Sequence, residues 1–469
     1  MIPAEIRSWN GVTKAGTELW GADSLRGRFA RGAVWSLLGG IVSQGSTLAA
    51  SVVTARLLGR EQFGEFGMIQ STVGMFGILA GMGLGLTATK YVAELRAKDP
   101  ARAGRIIALG ITVALITATV AVTALFVGAP WLAASTLNAA HLSAELRIAA
   151  GLLFINAFNG TQNGILAGFE AFRAIARVSL ARGIVTFPLT VCCVSLWDLR
   201  GAVVALVAAA VVGLVLNHIA IHAECKRNGV PVRWERFWRE RFILWKFSLP
   251  AFLSGAMTGP AVWAANSILV NQRSGYSEMG IFSAANQWRM AVAFLPLLLA
   301  QPVLSMLSNL AMRDMRSFRR VLRANLYLNV GLSVSIAAPV IACSSRIMRA
   351  YGSDFRSGAP VLILLALATA ISSIISVMAQ AMAGLDKVWW GFALNSAWAL
   401  VLLASAVMLV PRYGALGLAG AYLASYSVHA LTVSTYVKIY FRDRLVHREP
   451  TVRTRCDPSD LELEKDYAR

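Results

Sequence analysis

Acidic residues are missing where the chain is most apolar. The sequence holds 24 Asp and Glu among 469 residues, and none lies in the central part of a long hydrophobic run; Glu61, Glu65, Glu145, Glu170 and Glu278 all sit at run ends. Exporters driven by protons or sodium embed a carboxylate whose protonation or ion binding does the coupling, so an organic-cation antiporter is disfavoured. Cysteine is sparse too. Cys192 and Cys193 are adjacent in one run, Cys225, Cys343 and Cys456 lie near run ends or beyond, and no metal-type spacing appears; neither disulfide nor redox chemistry is assigned. His218 and His222 stand four apart but have no third ligand nearby, which argues against zinc. The first thirty residues are polar and charged, so no cleavable signal peptide is expected. Nothing in this inventory calls for a cofactor.

What the chain has is apolar length. Hydrophobic residues make up 57% and charged ones only 14%, and mean hydropathy is +0.59, which no soluble domain of this size matches. Runs of at least ~18 apolar residues recur from end to end, the mark of a polytopic α-helical membrane protein. Twelve spans are expected, at Ala33–Leu57, Phe63–Leu86, Ile106–Val127, Leu146–Leu166, Ala174–Trp197, Ala202–His222, Phe242–Val270, Gly275–Ala300, Val321–Cys343, Ala359–Met382, Val388–Val410 and Gly414–Tyr440. The net charge of +20 comes from Lys and Arg between the runs rather than from one patch mixed with stacking aromatics, so nucleic acid is not the expected partner. Most of those cations fall in alternate loops and both tails, which places both termini on the cytoplasmic side. The opposite loops are short, the longest being Ala129–Glu145 and Ser344–Gly358, both expected to be structureless.

The sequence repeats itself. GREQFGEF from Gly59 and GYSEMGIF from Gly275 share a Gly-x4-Gly-x-Phe frame 216 positions apart, and Ala167-Gly168 precedes Ala383-Gly384 by the same offset. A third match, Gly201-Ala202 with Gly414-Ala415, comes at 213. Three matches in order imply two homologous six-helix halves, related by an axis along the membrane normal, with substrate bound between them. The expected organisation is a cytoplasmic segment 1–32, an N half 33–222, an amphipathic cytoplasmic linker 223–241, a C half 242–440 and a cytoplasmic tail 441–469. In the linker, Trp234, Phe237 and Trp238 with Arg233, Arg236, Arg239 and Arg241 suggest a helix lying on anionic headgroups.

Polar residues inside the spans are the candidate site. Arg289 lies near the middle of the eighth span with Asn286 three residues before it, on one helix face. An arginine at the bilayer centre costs at least ~2.5–3.5 kcal/mol, so it should face a wet cavity or an anion. In the first span Ser36, Gly40, Gln44, Thr47, Ser51 and Thr54 share a face that lines a cavity or packs closely, and Gln44 is too large for close packing. Gly259-Pro260 in the seventh span marks a break or hinge, followed by Trp263, Asn266 and Ser267. The expected cavity set is Arg289, Asn286, Asn266, Gln44, Thr47 and Ser51, with Arg182 and Lys90 as secondary cations. Asn156, Asn159, Gln162 and Asn163 in the fourth span read as amides bonding one another within one half. A positively charged cavity without carboxylates suits a phosphate or pyrophosphate group.

These residues resemble a known family. Trp35, Gly39, Gln44, the segment Ala55–Gly64 (ARLLGREQFG), Gly81, Gly83-Leu84 and Tyr91 look like the opening of polysaccharide-transport flippases, and the likeness continues through Ala167–Glu170 and the Gly414–Gly420 turn. That group is the O-antigen and exopolysaccharide branch of the multidrug/oligosaccharidyl-lipid/polysaccharide superfamily. The resemblance implies an all-α integral membrane fold of MATE/MOP type, two pseudo-twofold six-helix lobes around a cavity lined by the first, second, seventh and eighth spans. It implies a cargo of undecaprenyl-pyrophosphate-linked oligosaccharide moved to the periplasmic leaflet of a bacterial inner membrane. Membrane lipids and the polysaccharide polymerase and chain-length machinery would be its partners. Lipid II flippases of this superfamily have two further C-terminal helices and cations in the first helix, and this chain shows neither. A small-molecule exporter of the same fold is disfavoured by the missing carboxylate, and a polymerase or ligase by short outer loops without clustered Asp, Glu and His.

Overall fold

Backbone amides in apolar surroundings must bond within their own segment, and this chain meets that demand with helix throughout. A computed structural model describes residues 25–313, 315–384 and 388–446, and no β-strand occurs among them. Of the expected cytoplasmic segments 1–32 and 441–469, residues 1–24 and 447–469 lie outside the described residues, as does Lys387. In chain order the helices are α1 (Leu25–Gly81), α2 (Leu84–Leu95), α3 (Pro100–Trp131), α4 (Ser143–Gly168), α5 (Phe172–Arg227) and α6 (Leu249–Ala256). Then come α7 (Thr258–Val270), α8 (Gly275–Arg313), α9 (Met315–Ala342), α10 (Ser344–Tyr351), α11 (Ala359–Gly384) and α12 (Val388–Val446). Among the described residues six stretches are long and apolar enough to cross a membrane.

Three of the rods are bent. α1 turns at Gly59 (φ 73°, ψ 179°), α5 at Trp197 and Asp198, and α12 at Gly414. Each bend separates two of the expected spans, so α1, α5 and α12 account for six of the twelve. The seventh span is broken rather than bent: α6 ends at Ala256 and α7 begins at Thr258. Pro260 lacks a donor, and its ring clashes with the carbonyl four residues back, Ala256, where the helix stops.

The repeat is written in the helix ends. α4 and α11 begin 216 positions apart, at Ser143 and Ala359, and end 216 apart, at Gly168 and Gly384; α5 and α12 begin 216 apart, at Phe172 and Val388. Their bends agree as well, with φ 47°, ψ −128° at Asp198 and φ 54°, ψ −129° at Gly414. The structural partner of Gly414 is therefore Asp198, and the 213-residue match to Gly201 is corrected. Gly201 pairs instead with Gly417. A Cβ on Gly201 would sit 1.9 Å from the Cys193 carbonyl oxygen and one on Gly417 2.3 Å from that of Leu409, equivalent clashes in the two halves.

The halves meet where those frames stand. A Cβ on Gly64 would lie 1.8 Å from the Tyr276 carbonyl oxygen, and one on Gly280 would lie 2.0 Å from that of Arg60. Gly64 and Arg60 map onto Gly280 and Tyr276 under the repeat, so the contact is self-complementary, as a two-fold axis requires. Phe63 inserts its ring among Tyr351 and Phe355, with centroids 6.3 and 6.0 Å away. Arg60 pairs with Glu278, whose second oxygen accepts from the Ala415 amide at 2.9 Å. Arg56 Nε donates to the Ala350 carbonyl at 2.7 Å.

Two loops differ from expectation. The segment between α3 and α4 holds a π turn (Leu132–Thr136) and a 3-10 turn (Ala140–Leu142), and that between α9 and α11 holds α10 and a 3-10 turn (Ser353–Gly358). The expected amphipathic linker helix does not form. α5 runs on to Arg227, Arg236 takes a left-handed φ of 55°, and only the 3-10 turn Phe237–Arg241 follows. Glu240 is drawn down onto α3 by Arg102 (3.1 Å) and Arg105 (3.5 Å), while Trp234 and Trp238 remain exposed.

Candidate functional site

Arg289 lies fourteen residues into α8, on the face that looks at α12. Its Nε donates to Asn286 Oδ1 at 2.6 Å, and the guanidinium carbon stands 5.7 Å from the centre of the Tyr422 ring, within cation–π range. The side chain is half-buried, and no carboxylate pairs with it among the described residues. Its terminal nitrogens have only a 4.0 Å contact to Met290 Sδ. A guanidinium carries five donors in a planar fork, and this one is oriented through a single donor with the rest free for oxygen ligands.

The other expected site residues are dispersed. Gly40, Gln44, Thr47 and Ser51 do share the face of α1 turned to α8. A Cβ on Gly40 would meet Phe294 at 2.4 Å, and buried Ser51 sits with the Tyr351 hydroxyl and Trp288 at the far end of the stripe. Between them Gln44 is half-buried, and Thr47 is exposed and bonded to the Ser43 carbonyl at 2.9 Å. Asn266 is not open to a cavity: it is 4% exposed and its Nδ2 donates to Ser71 Oγ at 2.8 Å across the seam between halves. Trp263 does likewise, donating to Thr72 Oγ1 at 3.0 Å. Gly259 lies at the same seam, where its missing side chain leaves room for Ile78 Cδ1. Arg182 lies inside the N half, its Cδ 3.4 Å from where a Gly213 Cβ would stand and close to Asn159. Lys90 is exposed on α2, its ammonium 5.3 Å from the centre of the Tyr91 ring.

In α4, Asn159 donates to the Ala210 carbonyl (3.1 Å) and accepts from Asn217 (3.3 Å), and Gln162 donates to the Leu214 carbonyl (3.3 Å). Those amides tie α4 to α5 within one half, through backbone carbonyls and Asn217 rather than through one another as expected. Asn156 does not join them. It is exposed to a cavity of about 640 Å³ in the N half, lined also by Gln70, Gly74 and Gly77 of α1, by Gly160 of α4 and by Leu206 of α5. Sequence reasoning missed this cavity. Its trace was the spacing of Gln70, Gly74, Gly77 and Gly81, which recur every three or four residues and so occupy one helix face.

The repeat links cavity and cation. Gln70, Val73 and Leu206 line the cavity, and 216 positions on from them stand Asn286, Arg289 and Tyr422. These equivalent positions are neutral in the N half and include a cation in the C half.

Residues 29–308, more than half of the chain, match the family model described as polysaccharide biosynthesis protein. The chain belongs to that family. A curated relative is the EPS I polysaccharide export inner membrane protein EpsE of Ralstonia nicotianae, 26% identical over 86% of this chain and 92% of its own length. The protein of that name from Ralstonia solanacearum is 22% identical, over 81% and 86% respectively. Among solved structures, an inward-facing multidrug resistance MATE family transporter of the MOP superfamily superposes with a TM-score of 0.74 at 15% identity, covering 89% of this chain and all of the other. A MOP superfamily transporter from Pyrococcus furiosus gives 0.67 at 17% identity, covering 88% and 95%. The fold of this family member is thus that of MATE/MOP transporters.

Proposed function

We propose that this polysaccharide biosynthesis family member is a flippase. It carries an undecaprenyl-pyrophosphate-linked oligosaccharide from the cytoplasmic to the periplasmic leaflet of the inner membrane by alternating access. The observation that carries this reading is Arg289, held by Asn286 and Tyr422, its terminal nitrogens bonded to no oxygen and no carboxylate against it among the described residues. Such a group suits a pyrophosphate, which offers several oxygens to a planar fork, and repels an organic cation. No reaction is needed, and the protein is a carrier rather than an enzyme. Its charge pattern favours cytoplasmic termini, so cargo enters from the side where the sugars are assembled and leaves toward the polymerase and chain-length machinery.

Analysis of lipid-linked intermediates in a strain lacking the protein tests the proposal. The expected result is accumulation of the complete undecaprenyl-linked oligosaccharide, protected from an impermeant glycan-modifying reagent added outside the inner membrane. Its appearance on the outer side, or the absence of any accumulation, would remove the flippase reading.

A further inference from the structure

We infer that the N-half cavity seats the sugar rings of the cargo, so that the two halves divide one ligand: uncharged glycan on the N half, anion on Arg289. The inference rests on the proposal that the cargo is a lipid-linked oligosaccharide.

Three observations point there. The cavity's volume, about 640 Å³, lies inside the ~300–1,000 Å³ range of small-molecule sites. Its wall carries no charged residue; the polar groups are the Thr161 hydroxyl, already bonded to the Ala157 carbonyl at 3.1 Å, and the amides of Gln70 and Asn156. Neither amide hydrogen-bonds another side chain among the described residues, and each offers two donors and an acceptor carbonyl.

The glycines on this wall are the second observation. A Cβ on Gly74, Gly81 or Gly160 would meet nothing within 4 Å, and on Gly77 only Leu153 Cδ2 at 3.9 Å. Neighbouring glycines are different: Gly85 and Gly164 are needed because a Cβ there would strike a backbone carbonyl at 2.8 and 2.1 Å. Protein packing thus accounts for Gly85 and Gly164 and not for the other four. Glycine inside a helix weakens it relative to alanine, and a bare backbone facing open space is what a ligand lying flat against it requires.

The third is the repeat, which puts Arg289 and Asn286 at the matching positions of the C half. A sugar ring has an apolar C–H face and a rim of hydroxyls. The first fits bare backbone with Leu152 and Leu206 beside it, and the second fits free amides; a pyrophosphate finds no cation there.

The test uses the full-length protein in lipid nanodiscs and two probes. One is undecaprenyl pyrophosphate without sugar; the other is the lipid-linked oligosaccharide extracted from the strain lacking the protein. Gly74→Leu and Gly160→Leu fill the cavity where space is open, and the double variant Gln70→Ala, Asn156→Ala removes the amides without adding bulk. Each is expected to weaken binding of the oligosaccharide by about tenfold or more and to leave the sugarless lipid within about twofold. Arg289→Ala is expected to weaken both probes alike. Cavity variants that bind the oligosaccharide as wild type does, or lose both probes equally, overturn the inference. If instead Arg289→Ala leaves both probes unaffected while the cavity variants still discriminate, the anion reading falls and the sugar site stands.

Discussion

At the scale of single residues, what matters is how a cation is kept available inside an apolar helix. Arg289 donates through Nε to Asn286 and stands over the Tyr422 ring at cation–π distance, which leaves the outer edge of the fork for a ligand. Arg289→Ala is expected to leave membrane insertion intact and abolish surface polysaccharide. Arg289→Lys should keep a fraction of it, because an ammonium retains charge but cannot hold Asn286 and present two parallel donors at once. Quantifying polysaccharide against protein level in the membrane reads both, and wild-type output from the alanine variant removes Arg289 from transport. Arg182→Ala should be milder, since that side chain lies in the N half beside Gly213 and Asn159 rather than with Arg289 in the C half. Arg289 and Asn286 were legible because a cation and an amide three apart interrupt an apolar run. Tyr422 was not, since it is apolar in pattern and reaches Arg289 only through the packing of α12 on α8. Asn266 misled for a related reason: an amide in a span looks the same whether it faces water or, as here, a serine across the seam.

At the scale of elements, two bends make the same turn with different residues. The backbone of Asp198 and of Gly414 sits near φ 50°, ψ −130°, a region that glycine occupies freely and an L side chain does not. Asp198 is therefore strained where its counterpart is relaxed, at a cost of about 1–3 kcal/mol. Asp198→Gly should raise the thermal midpoint of the detergent-solubilised protein. Gly414→Ala should lower it by more, because its Cβ would also press on Glu278 Oε2 at 2.7 Å, the carboxylate that holds Arg60. Equal midpoints for the two variants would refute the strain argument. The same bend explains what the sequence hid. Matching glycine to glycine led to Gly201 because the true partner is an aspartate, and nothing in a single sequence marks a non-glycine residue at positive φ. Helix positions were legible from long apolar runs. The linker was not, because its aromatic and arginine spacing suits a helix while Glu240, paired with two arginines on α3, pulls it into a 3-10 turn.

At the scale of the whole molecule, the two halves touch through glycines that have no room for a methyl group, and the alternating access proposed above requires that contact to open. Gly67 and Ser283 are repeat equivalents that face each other across the two-fold axis, with a Cβ on Gly67 2.9 Å from that of Ser283. Widening by about 1 Å would bring the pair to the Cβ separation of ~3.8 Å that a disulfide prefers. A Gly67→Cys, Ser283→Cys double variant, with the native cysteines replaced, should therefore cross-link under oxidation and hold this end shut. Polysaccharide export is expected to stop when the bond forms and to return on reduction, while each single variant exports throughout. Glu278→Gln gives the opposite bias. It removes the charge that ties Arg60 to the Ala415 amide, so labelling of the buried thiol in the Ser283→Cys single variant should rise above that in the parent. Export by the fully cross-linked protein at the parental rate would mean that the halves need not part here. The self-complementary glycine contact would then be a permanent hinge, and the opening would lie at the other end of the seam, where Gly259 meets Ile78 and Gly40 meets Phe294.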